Sequence, residues 1–227
     1  MERAFEVTGA DTPPWPDPHL GPDGEDTPVR EEEYSRRLDP GKHRILAARA
    51  EAWAQVLVAK GWAEREEIAD GAALLWRAES GLPLHRAMVS RPHRRGASPL
   101  LLVRTAPDEE DGHHDLTTAD ARAPRHRRRP RRPTAARRDA PFCGCDACDS
   151  GSRDLLERLD EAILSIVDGS YEALISPHGR RERTSFHASS GWSVDQPAVP
   201  AHLTAGPWAE NWTPRLMDPM LEPEDRA

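Results

Sequence analysis

The three cysteines of this chain fall within one short run, Cys143-Gly144-Cys145-Asp146-Ala147-Cys148-Asp149, and there are no others. Their CxCxxC spacing puts three thiolates within reach of one cation. Zinc favours thiolate and imidazole in tetrahedral sites and deprotonates the thiols it binds. Cys143, Cys145 and Cys148 are therefore candidate ligands of a structural Zn2+. A fourth ligand is sought at His178, with His187 as the alternative, because both follow the helix that the cysteines precede and could return to its N-terminal end. Asp146 or Asp149 would serve less typically. Two further uses stand beside the metal: packing in a tight metal-free turn, and thiol redox chemistry through Cys145 and Cys148, which have CxxC spacing. Against the redox use, reactive CxxC thiols want positive potential or a helix N-terminus close by, whereas here acids stand at 146 and 149. Cys148 also lies ahead of the predicted helix start, where the helix dipole gives little help. A Cys143–Cys145 disulfide would close a very small, strained ring.

Other residues with chemical potential carry less. Residues 121–138 hold nine arginines and no acid, enough to neutralise phosphates in a salt-sensitive, sequence-independent way. That run has no aromatic residue for base stacking and no motif of a known nucleic-acid reader, so a solvated insert is the preferred reading of 122–138 and nonspecific nucleic-acid binding the alternative. His113 and His114, beside Asp111 and Asp115, suit opportunistic metal binding in a flexible acidic loop. There is no phosphate-cradling glycine loop, GxSxG elbow or HExxH helix, hence no basis for naming a reaction. The chain leans away from an enzyme, with catalytic residues unknown.

The composition bounds what can position these residues. In 227 residues with 37% apolar content, three Phe and two Tyr, only a modest core with polar flanks is expected, although seven Trp partly compensate. No run approaches the ~18 apolar residues of a membrane span, and the N-terminus lacks the layout of a secretory signal. An odd, clustered set of cysteines argues against a disulfide framework, so a cytoplasmic setting without membrane partners is expected. Lys42 and Lys60 are the only lysines among 31 basic residues, which reads as coding bias in a high-GC bacterial genome.

Residues 1–28, rich in Pro and acid, read as a disordered leader, with a docking peptide anchored by Trp15 as the alternative. After a short helical stretch near 29–38, a helix is predicted with Asp39 as N-cap, Pro40 as first residue and Gly61 as stop. Its stripe is Leu46, Ala50, Trp53 and Leu57, widened by Ile45, Ala52 and Val56. Residues 72–76, 84–89 and 100–104 carry strand signals, the second and third pairing as an antiparallel hairpin. A second helix follows the cysteines, with Ser152 as N-cap, Asp154 in its first turn, Gly169 as stop and one face made of Leu155, Leu156, Leu159, Ile163, Ile166 and Val167. Beyond it, 171–176 and 184–188 are predicted strands around a Pro177-His178-Gly179 turn, and the Trp- and Pro-rich tail from Pro207 is irregular but partly packed, with 216–227 disordered.

The run PFCGCDACD at 141–149, followed at once by an amphipathic helix, resembles the hallmark of an uncharacterised family of high-GC bacteria, domain of unknown function 6226. A helix opening after Tyr34, the strand text SPLLLVRTA at 98–106 and the late ENWTPR at 210–215 are similar to that family too. The likeness covers roughly 34–106 and 141–215 and implies a layout rather than a reaction. Between them, 107–140 departs from it: where an apolar strand and a Trp-containing turn would be expected stands low-complexity Arg/Pro/Ala text, which points to a lineage insertion or a compensated frameshift. The resulting expectation is one small α+β domain formed by 29–106 and 141–215, two main helices packed on a short antiparallel sheet. Its function is expected to be that of a non-enzymatic binding or structural module, a protein partner being possible, with a CxCxxC turn that holds a structural zinc. A thiol redox enzyme using Cys145 and Cys148 is the alternative.

Overall fold

The computed structural model describes residues 13–36, 38, 39, 42, 44–68, 84–105, 117–122, 135–138, 145–176, 179–191 and 201–213. Two helices and two antiparallel sheets share one core, giving a small α+β fold. Helix α1 (Arg44–Ala59) buries Ile45, Leu46, Ala50, Trp53, Ala54 and Leu57. Helix α2 (Gly151–Val167) buries Leu155, Leu159, Ala162, Ile163, Ile166 and Val167. These are the faces that the 3.6-residue periodicity selects, with Ala54 sealed where Ala52 was expected. Gly61 and Gly169 both adopt positive φ (65° and 78°) at the two helix ends, where a side chain would be strained. At Gly169 space is closed as well, since a Cβ would lie 2.2 Å from the nitrogen of Pro207.

Helix α1 is described from Arg44, the expected first residue Pro40 lying outside the described residues, and Lys42 just ahead of it is turned toward Asp149 and Trp15. The N-cap of α2 is Ser150 rather than Ser152, whose hydroxyl and backbone N–H are both engaged with Trp15.

The first sheet has the order β1 (Ala63–Ile68), β2 (Leu84–Pro92), β3 (Leu100–Thr105), β4 (Thr117–Arg122), β5 (Ala135–Arg138), every neighbour antiparallel. The expected β2–β3 hairpin is present, with Val89 opposite Leu101. Leu100 and Leu102 join the helix-facing core, while Ala87, Val89 and Leu101 alternate to the other face and are buried too. Residues 72–76 lie outside the described residues. The solvated-insert reading needs correction at the described residues 117–122 and 135–138, which are paired strands. The free edge of β3 offers backbone groups that any non-proline residue can pair with, so an apolar sequence is not required, and the register sets small Ala121 and Ala119 opposite Leu100 and Leu102.

The second sheet has the order β8 (Ala188–Gly191), β7 (Gly179–Arg183), β6 (Glu172–Ser176), β9 (Ala201–Thr204). Strand β7 starts five residues earlier than the predicted 184–188, because Thr184 closes a turn instead. Its N–H donates to the carbonyl of His187 at 2.8 Å, and its hydroxyl oxygen accepts the N–H groups of Phe186 and His187. One expected sheet is therefore two. The helices are joined by Asp160 of α2, which accepts two hydrogen bonds from Arg49 (2.9 and 2.5 Å) and one from the indole N–H of buried Trp53 (2.6 Å). The tail packs through Trp208, which is 3% exposed and donates from its indole to Ser98 O at 3.0 Å.

Candidate functional site

The cysteine run leads straight into α2. Cys145 precedes a 3-10 turn, Asp146–Cys148, in which the N–H of Cys148 donates to Cys145 O at 3.1 Å. Cys145 is buried and Cys148 half-buried, both as thiols. Around them the two aspartates make most of the polar contacts. Asp146, 8% exposed, accepts from Arg36 Nε at 2.8 Å and from the backbone N–H of Leu38 at 3.1 Å. Its own N–H donates to Arg36 O at 2.9 Å, and its carbonyl accepts from His19 Nε2 at 2.9 Å, so that ring nitrogen carries a proton.

Asp149, 4% exposed, accepts from the indole N–H of Trp15 (2.9 and 3.2 Å), from the Gly151 N–H (3.0 Å) and from Lys42 Nζ. The Lys42 ammonium also stands over the Trp15 ring, 5.6 Å from its centroid. Burial alone would push the Asp149 carboxyl up, but the hydrogen bonds from Lys42, Trp15 and Gly151 together with the lysine charge outweigh it and hold the group below the ordinary aspartate range. Ser152 adds a third clasp: its hydroxyl accepts the Trp15 N–H at 3.1 Å, and its N–H donates to Trp15 O at 3.1 Å. Gly151 is required here, since at φ 80° a Cβ would meet the nitrogen of Asp17 at 2.6 Å.

Residues 13–28 are not solvated throughout as their composition suggests: Trp15 packs on the core and its indole holds Asp149, while Pro13, Pro14 and residues 22–28 are exposed, and the anchoring role considered for Trp15 is played toward its own chain. Residues 1–12 lie outside the described residues. The physical reason is that a segment too polar to build a core of its own still docks when one aromatic ring and a few backbone groups find prepared partners.

Of the proposed zinc ligands, Cys143 and His178 lie outside the described residues. Cys145 and Cys148 share the turn. His187 is not brought to them. It sits in the β7–β8 turn, where neighbouring Ser185 donates to Asp168 at 2.8 Å just past the C-terminal end of α2. The cysteines are at the other end of this helix, whose 17 residues span about 25 Å. The imidazole that does arrive at the cysteine turn is His19, which no local signal connects to residue 146. Among the described residues no three His, Cys, Asp or Glu side chains converge as a metal-binding group. Neither His113 and His114 nor most of the arginine run falls within the described residues; β5 carries Arg137 and Arg138 as paired backbone. No helix among the described residues is long and apolar enough to cross a membrane.

A family comparison matches residues 1–215. The chain belongs to a family of unknown function, DUF6226. The match takes in both the N-terminal segment and residues 107–140, beyond the two stretches on which the sequence likeness was first drawn. No curated protein and no solved structure matches the chain.

Proposed function

We propose that this DUF6226 member is a non-enzymatic binding or structural module whose cysteine-containing turn serves as an architectural staple. What supports this is a single piece of geometry: the motif's two acids are consumed by fold-holding contacts, Asp146 with Arg36, Leu38 and, through its carbonyl, His19, and Asp149 with Trp15, Lys42 and Gly151. Carboxylates committed to cations and backbone N–H groups are poor general acids or bases, because their charge is already neutralised and their lone pairs are occupied. The zinc-bearing version of the staple takes Cys143, Cys145 and Cys148, with His178 as the fourth ligand.

The test combines elemental analysis of protein purified without a histidine tag with a disulfide-reduction assay on an exogenous substrate. The expected result is no turnover. About one tightly held zinc per chain would establish the metal-bearing version, and metal-free folded protein would leave the carboxylates as the whole staple. Turnover in the wild type that disappears in Cys148→Ser would replace the module with a thiol redox enzyme.

A further inference from the structure

We propose that Cys145 and Cys148 are a reversible disulfide pair that regulates how firmly the staple grips the N-terminal segment. The inference rests on the staple described above. Cys145 is the extended residue that opens the 3-10 turn and Cys148 is its last residue; the ends of a four-residue turn lie less than about 7 Å apart, and a disulfide spans Cα separations of about 4.4–6.8 Å. The hydrogen bond from Cys148 N–H to Cys145 O fixes that spacing here. The two residues also differ in access: Cys145 is 2% exposed, whereas Cys148 is half-buried, so Cys148 is the one that an oxidant reaches first.

The objection from flanking negative charge is answered by the tertiary structure. Asp146 is paired with Arg36 and Asp149 with Lys42, while His19 lies between the Asp146 carbonyl and Glu33, its Nδ1 4.0 Å from the Glu33 carboxylate. Each acid next to the pair is thereby matched by a cation, and the turn does not present bare negative charge to a forming thiolate.

The step balances with a small-molecule disulfide as oxidant. Cys148 loses its proton to solvent and its sulfur attacks one sulfur of the oxidant, whose S–S bond breaks and expels one thiolate. Cys145 then loses its proton and attacks the Cys148 sulfur, forming the intramolecular bond and expelling the second thiolate. Two protein thiols are oxidised, one disulfide is reduced to two thiols, and both protons end on solvent or on the released thiolates. The folded turn already has the spacing of the bridge, so oxidation locks the conformation that presents Asp146 and Asp149. Closing a four-residue loop is expected to favour the clasped state by about tenfold.

The probe is glutathione disulfide, applied to the full-length protein in glutathione buffers of graded ratio. Thiols are trapped by alkylation and mapped by peptide mass spectrometry, and tryptic cleavage after Arg36 is timed in parallel, because that guanidinium must leave Asp146 to enter the protease. The expected result is a Cys145–Cys148 link that survives Cys143→Ser and vanishes in Cys148→Ser, with cleavage after Arg36 slowed about tenfold on oxidation. Bridging through Cys143 instead, no bridge at any ratio, zinc that keeps all three thiols masked, or equal cleavage rates in the two redox states would each overturn the proposal. Reduced wild type cut as fast as Asp146→Asn would instead overturn the staple on which it rests.

Discussion

Replacing Asp149 by alanine strips the staple of its acceptor, and its consequence can be worked from the contacts. Asp149 is 4% exposed and satisfies three donors: Lys42 Nζ, the Trp15 indole and the Gly151 N–H. Removing one member of a buried ion pair costs about 3–5 kcal/mol, and each neutral donor left unsatisfied costs about 1–3 kcal/mol. These costs overlap. The Lys42 side chain is 17% exposed and can turn to water, and the Trp15 segment can lift and rehydrate, so the net loss is expected to be about 3–4 kcal/mol. Asp149→Asn keeps an acceptor oxygen but no charge and should lose about half of that. The assay is urea unfolding at pH 7 followed by tryptophan fluorescence, with Lys42→Met completing a double-mutant cycle. The pH dependence has a definite sign. Because the folded carboxyl lies below the unfolded value of about 3.9, the Asp149 contribution is full above that value and is lost as pH falls through the folded one. The gap between wild type and Asp149→Ala should therefore close on acidification. A loss below about 1 kcal/mol at pH 7, or a gap that widens toward acid, would refute the staple.

Three further outcomes follow from the same structure. Gly151→Ala should destabilise the fold by about 2 kcal/mol and speed proteolysis within residues 13–30, since its Cβ would collide with the backbone of Asp17; unchanged protease protection would show that the segment docks otherwise. Asp160→Ala should cost about 2–3 kcal/mol in denaturant unfolding by leaving buried Trp53 and half-buried Arg49 without their shared acceptor, and a loss within 0.5 kcal/mol would speak against that link between the helices. Ser90→Ala should be neutral or stabilising by up to about 1 kcal/mol, because the fully buried Ser90 hydroxyl has no hydrogen-bond partner among the described residues; clear destabilisation in calorimetry would reveal one.

The parts of the fold that were legible in the sequence are those governed by short spacing. Leu155, Leu159, Ile163 and Ile166 recur at helical intervals and are all at most 1% exposed, and Gly61 and Gly169 mark the helix ends because positive φ suits glycine. Local rules were weaker where a side chain could serve two masters: Ser152 fits an N-cap by type, but a docked Trp15 claims its hydroxyl, and Thr184 has strand propensity yet closes a turn. Strands β4 and β5 were missed because an edge strand is recruited by its neighbour's backbone, which leaves little trace in side-chain hydrophobicity.

By itself the sequence determined the two helix faces, the β2–β3 hairpin and the location of the cysteine turn at the start of α2, since each depends on residues within one or two turns of each other. Only the tertiary structure decided what surrounds that turn. Trp15 meets Asp149 across 134 positions, Arg36 meets Asp146 across 110, and Lys42 meets Asp149 across 107. Contacts at such separation obey no period in the chain; they exist because packing of the helices on the sheets brings remote segments to one helix end, where desolvated carboxylates must find cations and N–H groups. That requirement is why Asp146, between the last two cysteines, and Asp149, just after them, carry the long-range contacts of the motif.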